Sequence, residues 1–262
     1  MLALEPRVLA IGETHAQRGL EGIPSTTRRF TEELLPVLGG RASDVVVEIW
    51  VADGSCGKQE KQVAQQQRDV TVTQAPTNQN EFVTLGHAAR RHGIVPHVLR
   101  PSCEEYARIV DAGAGDVATM LEMIARLTAE KVRRLLTQPR AAATTGGAPG
   151  DAGAARADAG AARMVVAYGG AMHNDAAPRP GREAWSFGPA LRAETGGRYV
   201  ELDLIVPEYV KDTEAWRSLP WYPHFDRASH PGKTKLYRSG PESFVLVLPS
   251  AAAVDAGAPA TP

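Results

Sequence analysis

Two apolar runs of strand length, separated by one stretch of helical periodicity, constrain this chain more than any other feature. Arg7-Val8-Leu9-Ala10-Ile11-Gly12 reads as a short buried strand closed by glycine, and Asp44-Val45-Val46-Val47-Glu48-Ile49-Trp50 as a second strand. Between them, Thr26 to Leu38 sets Phe30, Leu34, Leu35 and Leu38 at helix-compatible spacing. Strand, helix, strand is the opening of a parallel α/β sheet. At 262 residues the chain can bury a core without disulfide staples. The expectation is one α/β domain over residues 1–249, a mostly parallel β-sheet flanked by helices.

The same reasoning extends along the chain. Asn80 to Arg91 forms a second crossover helix ended by Gly93, and a strand follows near Ile94 to Arg100. Pro96 lacks a backbone donor, so that strand belongs at an edge or begins only there. Glu104 to Val110 and Asp116 to Leu136 are helical, the latter with Val117, Met120, Leu121, Ile124 and Leu127 along an apolar face. Residues 138–163 are rich in Ala, Gly and Pro and read as a flexible insertion. Strand character returns at Met164 to Gly170, Tyr199 to Val206 and Ser243 to Leu248, with a helix at Ser186 to Glu194. Alternating Glu201 and Asp203 suggest a solvated side on the strand beginning at Tyr199. Residues 208–231 read as a long covering loop, and 250–262 as a disordered tail.

Charge excludes some partners. With 29 basic and 30 acidic residues the formal charge is −1, so no global field favours nucleic acid or an anionic membrane surface. No span long and apolar enough for a membrane is visible, and no leader precedes the first strand. The expected location is cytoplasmic, with an exported or lipoprotein form as the alternative if a leader is missing. Cys56 and Cys103 are the only cysteines, too few for a disulfide framework, and a bridge between them is the disfavoured reading. Cys103 is better read as a structural thiol than as a nucleophile, since no base lies beside it in the sequence.

The chemistry-bearing residues fall at strand ends, where open parallel sheets bind ligands. Gly12-Glu13-Thr14-His15 follows the first strand, and Glu48 interrupts the apolar run of the second. A buried carboxylate needs a partner, either a polar network at the site or a salt bridge to Arg100 near the next strand end. Tyr168-Gly169-Gly170-Ala171-Met172-His173 supplies the third group, its glycines letting the backbone turn closely around a ligand. Each residue alone has an ordinary structural role available, but three polar strand ends together argue for a shared site. His15, Glu48 and His173 suffice in principle for a divalent metal. Without metal, His15 or His173 can serve as general base, tuned by Glu13 or Glu48, with Arg100 stabilising negative charge. Trp221 and Tyr222, with Trp216, His224 and His230, could wall a ligand pocket. No HExxH, GxSxG, GxGxxG or GxxxxGK[ST] pattern occurs, so zincin, serine-hydrolase and nucleotide-binding readings lack local support. His87, His92 and His97 do not share a helical face and are assigned to surface or packing roles.

At Ile11-Gly12-Glu13-Thr14-His15, Val45-Val46-Val47-Glu48 and Tyr168-Gly169-Gly170-Ala171-Met172-His173, the chain resembles the EreA/ChaN-like superfamily. That group comprises erythromycin esterase-like enzymes, ChaN-like haem-binding uptake proteins and TIKI/TraB-like metalloproteases. The resemblance is nearest to the ChaN-like branch, whose closing strand is similar to Glu242 to Pro249. It implies a site at Glu13, His15, Glu48 and His173, and three chemistries: water activation by His and Glu, metal-dependent peptide cleavage, or haem binding. The working expectation is a hydrolase acting on a small-molecule or peptide substrate, with His15 and Glu13 activating water, assisted by His173, Glu48 and optionally a divalent ion. The alternative is a haem, iron or small-molecule binding protein with His15 or His173 as axial ligand and Trp221 and Tyr222 shielding the ring.

Overall fold

A computed structural model of the chain describes residues 1–138, 164–229 and 232–251. Its centre is a seven-stranded sheet of β1 (Val8–Glu13), β2 (Ala42–Trp50), β3 (Val95–Leu99), β4 (Met164–Gly170), β5 (Tyr199–Ile205), β6 (Lys235–Arg238) and β7 (Ser243–Val247). The order is β3-β2-β4-β1-β5-β7-β6, and β6 alone runs antiparallel to its neighbour. This is the expected mostly parallel α/β architecture. The edge position of β3 accommodates Pro96, which has no amide proton to give a ladder.

Helices cover both faces. Thr26–Arg29 (α1) and Leu35–Leu38 (α2) are joined by a π-helical turn over Phe30–Leu34. Lys58–Val70 (α3), Asn78–Arg91 (α4), Cys103–Ala112 (α5), Val117–Thr137 (α6) and Gly188–Glu194 (α7) complete the main set. Because strand side chains alternate, β1 splits its apolar residues between two cores. Leu9 and Ile11 pack with Phe30, Leu35 and Leu85 on one face, while Val8 and Ala10 pack with Ile109, Ile124, Val132 and Leu191 on the other. Each such fully buried large side chain contributes about 2 kcal/mol. Helix starts are set by side chains: Ser25 accepts from Arg28 N–H, Asp116 from Thr119 N–H, and Ser102 and Glu105 form a reciprocal capping box.

Several expectations are corrected. Helix α3 has no counterpart in the sequence reading because only Val63 along it is buried, leaving almost no apolar period to detect. The region after β5 contains short helices at Pro207–Tyr209, Glu214–Arg217, Tyr222–His224 and Arg227–Ser229, and the edge strand β6 follows. The Glu201 side of β5 is not solvated: Glu201 is 7% exposed, beneath the segment that follows β4. The greater part of the proposed insertion, 139–163, and the tail from 252 lie outside the described residues.

The largest correction concerns the cysteines. Cys56 and Cys103 form a disulfide, with Cα atoms 5.2 Å apart, so Cys103 is neither a free thiol nor a nucleophile. The pairing comes from the sheet. β2 and β3 are parallel neighbours, and their following loops run side by side, Val51 N–H donating to Leu99 O and Asp53 N–H to Pro101 O. The bridge spans 47 residues, and loop-closure entropy alone makes it worth about 4 kcal/mol. Denaturant unfolding of a Cys56→Ser/Cys103→Ser variant should show a loss of that order; unchanged stability, with two titratable thiols in the native protein, would contradict the pairing.

Candidate active site

Parallel strands bring their carboxyl ends to one edge, and the strand order reverses there. From β1 the chain crosses to β2 and β3 on one side, returns to β4 beside β1, and then places β5 on the other side. Such a reversal leaves a gap between the outgoing loops, where open α/β sheets take their ligands. Register aligns the polar ends: Gly12 lies opposite Gly169 and Glu13 opposite Gly170 on β4, while Gly12 lies opposite Asp203 on β5.

The structure brings Glu13, His15, Glu48 and His173 to one edge of the sheet as two pairs, Glu13–His15 and Glu48–His173, on either side of Gly170. Glu13 ends β1 facing inward and is 3% exposed. Its carboxylate pairs with Nδ1 of His15, and the His15 ring stands edge-on to Phe82 with centroids 6.3 Å apart. The other imidazole nitrogen faces Gly170, where a Cβ would lie 3.2 Å from His15 Nε2 and 3.5 Å from Glu48 Oε2. Glu48 reaches across from β2, and its Oε2 accepts the Gly170 N–H at 2.6 Å. Gly169 makes room for it, since a Cβ there would sit 2.6 Å from Glu48 Oε2. On the far side, His173 Nε2 lies 3.7 Å from Glu48 Oε1. His173 Nδ1 is 2.8 Å from the carbonyl oxygen of Trp185. A carbonyl only accepts, so Nδ1 carries the proton and Nε2 is the nitrogen turned toward Glu48.

The two histidines differ electrostatically. Burial pulls the His15 imidazole down, but the charge of Glu13, its hydrogen bond and the more distant Glu48 together outweigh it and raise the ring to about 9. His15 is therefore an imidazolium at neutral pH. Tyr168, under the site, is held well above the usual phenol range by burial and by Glu13, and its hydroxyl donates to Thr27 Oγ1 at 3.1 Å. Tyr209 is pushed up to about 12 by burial, then by Glu81 and Glu13, and its buried hydroxyl has no hydrogen-bond partner among the described residues. Glu81 and Tyr209 border this acidic environment, and the sequence reading did not include them. Tyr209 carries the faint signal of a polar residue just beyond a strand end; Glu81 carries none, because it sits in the first turn of α4.

The remaining sequence candidates fall elsewhere. Arg100 is exposed after β3, and its charge is felt by Lys131 of α6. Glu48 takes the Gly170 amide and faces His173, which is the polar network at the site and not the alternative salt bridge to Arg100. Trp221 is 4% exposed in an aromatic cluster with Trp216, Phe225 and Tyr237 against Ile205, Val245 and Val247, and Tyr222 donates to Asp212 at 3.0 Å. His230 lies outside the described residues. His97 pairs with the buried Asp44 at 2.8 Å, a packing role.

Among the described residues no group of three or more His, Cys, Asp or Glu side chains is arranged to hold a metal ion. The His173 side chain is 4% exposed and that of His15 24%. Comparison with protein-family models, with curated proteins and with solved structures finds no match.

The His15 shift sets a pH dependence of stability. A histidine raised in the folded state stabilises fully below its unfolded value of 6.5, and the contribution disappears as pH climbs through about 9. Unfolding free energy should fall across that window by up to roughly 3 kcal/mol, and His15→Gln should flatten the fall. An identical slope in the variant would show that His15 is not the titrating group.

Proposed function

We propose that the chain is a hydrolase that cleaves an acyl substrate, an ester or a peptide, with water activated by its own side chains. The carrying observation is a difference in partners: His15 Nδ1 pairs with the Glu13 carboxylate, whereas His173 Nδ1 meets the Trp185 carbonyl and its Nε2 faces the Glu48 carboxylate. His15 as imidazolium cannot accept a proton, so the base role expected of it passes to His173. Water held between His173 Nε2 and Glu48 gives a proton to Nε2, and the hydroxide attacks the acyl carbon. Negative charge developing on the acyl oxygen is stabilised by the His15 imidazolium, itself oriented by Glu13. His173 then returns its proton to the leaving alcohol or amine. No step needs a metal.

This reading favours the esterase-like branch of the EreA/ChaN-like superfamily over its haem-binding branch. The disulfide supports the exported form of the protein, since such bridges persist in oxidising compartments. No helix among the described residues is long and apolar enough to cross a membrane.

The test is hydrolysis of a panel of activated esters and short peptides. His173→Ala and Glu48→Gln should each lower kcat/KM by about 10²–10⁴ while circular dichroism and thermal unfolding show a folded protein. The rate should also decline as pH passes through about 9, where His15 loses its charge. A panel that shows no wild-type turnover, or full activity in the His173 variant, would overturn the assignment.

A further inference from the structure

His173 does not sit on a strand, so something other than the sheet ladder must hold its ring. The segment 171–188 curls back on itself around Ser186, whose Oγ is 3.0 Å from the His173 carbonyl oxygen and 2.6 Å from that of Asp175. Phe187 N–H also donates to the His173 carbonyl, at 2.9 Å. This closes the segment but does not attach it to the sheet. Its start is tied to the sheet by Ala171 N–H donating to Glu13 O at 3.1 Å and His173 N–H donating to Gly170 O at 2.9 Å, and the residues after His173 are tied by one face of β5, where Tyr199, Glu201 and Asp203 stand at every second position. Tyr199 O–H donates to the Asn174 carbonyl at 2.5 Å, Asp203 Oδ1 accepts from Asn174 Nδ2 at 2.9 Å, and Glu201 Oε2 accepts from Ala176 N–H at 3.0 Å.

All three bonds fall on the residues just after His173, and two of them hold Asn174, which is 1% exposed. The sheet leaves space for them at one position. Gly12 lies opposite Asp203, and a Cβ there would come within 2.3 Å of Asp203 Oδ1 and 2.6 Å of both polar atoms of the Asn174 amide. The β1 glycine therefore serves the opposite face of the sheet from Glu13, its neighbour in the chain.

We propose that Tyr199 and Asp203 are positioning residues that act through Asn174 to hold His173 in the single orientation in which Nδ1 meets Trp185 O and Nε2 meets Glu48. The inference deepens the hydrolase reading and rests on His173 as proton acceptor, but the orientation itself is observable without any substrate. Burial opposes charge on Asp203, and Asp175 adds to the effect against the Asn174 hydrogen bond, raising it to about 7. Burial and the neighbouring Asp203 raise Glu201 to about 8. The clamp is thus built from carboxyl groups held at a cost, which simple packing at these positions would not require.

The test is long-range 1H–15N correlation of the imidazole rings in the 15N-labelled full chain at one fixed pH, with His173 assigned by its loss in His173→Gln. Wild type should show a single Nδ1-protonated tautomer for His173. Tyr199→Phe, which removes only the hydroxyl, and Asp203→Ala should each convert this into a mixture of tautomers. Asp203→Asn retains an acceptor oxygen and should restore the wild-type pattern. A His173 pattern unchanged in folded Tyr199→Phe and Asp203→Ala overturns the proposal; if Asp203→Ala does not fold, Tyr199→Phe decides alone. Absent turnover on the ester panel alongside a responsive His173 ring would defeat the hydrolase reading and leave the clamp standing.

Discussion

The hydrogen bond from Gly170 N–H to the Glu48 carboxylate is the joint on which the site depends. It crosses from the last residue of β4 to a side chain near the end of β2, at 2.6 Å, and it exists because Gly169 has no side chain to occupy the path. A carboxylate accepting a backbone amide in a partly buried place contributes roughly 1.5–3 kcal/mol. More consequentially, it fixes where the negative charge sits. One oxygen is anchored at the Gly170 amide and the other is turned to His173, and the charge of the same carboxylate also helps raise His15.

Around that joint, each histidine is specialised by its other nitrogen. Glu13 takes His15 Nδ1 and makes the ring a cation; the Trp185 carbonyl takes His173 Nδ1 and leaves Nε2 as the nitrogen open to a proton. In the proposed hydrolase, two identical side chains a few residues from the same sheet edge thereby take opposite roles, one electrostatic and one proton-accepting. The disulfide belongs to this arrangement as well. It ties the chain leaving β2, shortly after Glu48, to the start of α5, and so restrains the loop that would otherwise let the end of β2 fray.

The central strands were legible in the sequence because they are buried on both faces and their apolar runs are uninterrupted until the site is reached. Glu48 stood out for the same reason, as a charge in an otherwise apolar strand. Helix α3 was not legible because Val63 is its one buried residue, and β6 was not because a four-residue edge strand of alternating exposure resembles loop. The disulfide was disfavoured because spacing along the chain says nothing about β2 and β3 becoming parallel neighbours. Glu201 and Asp203 misled in an instructive way. Alternating polar residues on a strand signify a solvated face only if nothing covers it, and here the segment carrying His173 does. The separate roles of the two histidines also lay beyond the sequence, since they depend on a carboxylate and a carbonyl brought in by folding.

The most direct measurement of the shared site is the backbone amide proton of Gly170. A short bond to a carboxylate should carry that resonance far downfield, and in Glu48→Ala it should return toward ordinary positions while the ring signals of both His15 and His173 shift with it. A Gly170 amide unmoved by the substitution, or histidine rings that ignore it, would mean that the three strand ends hold separate side chains and no common site.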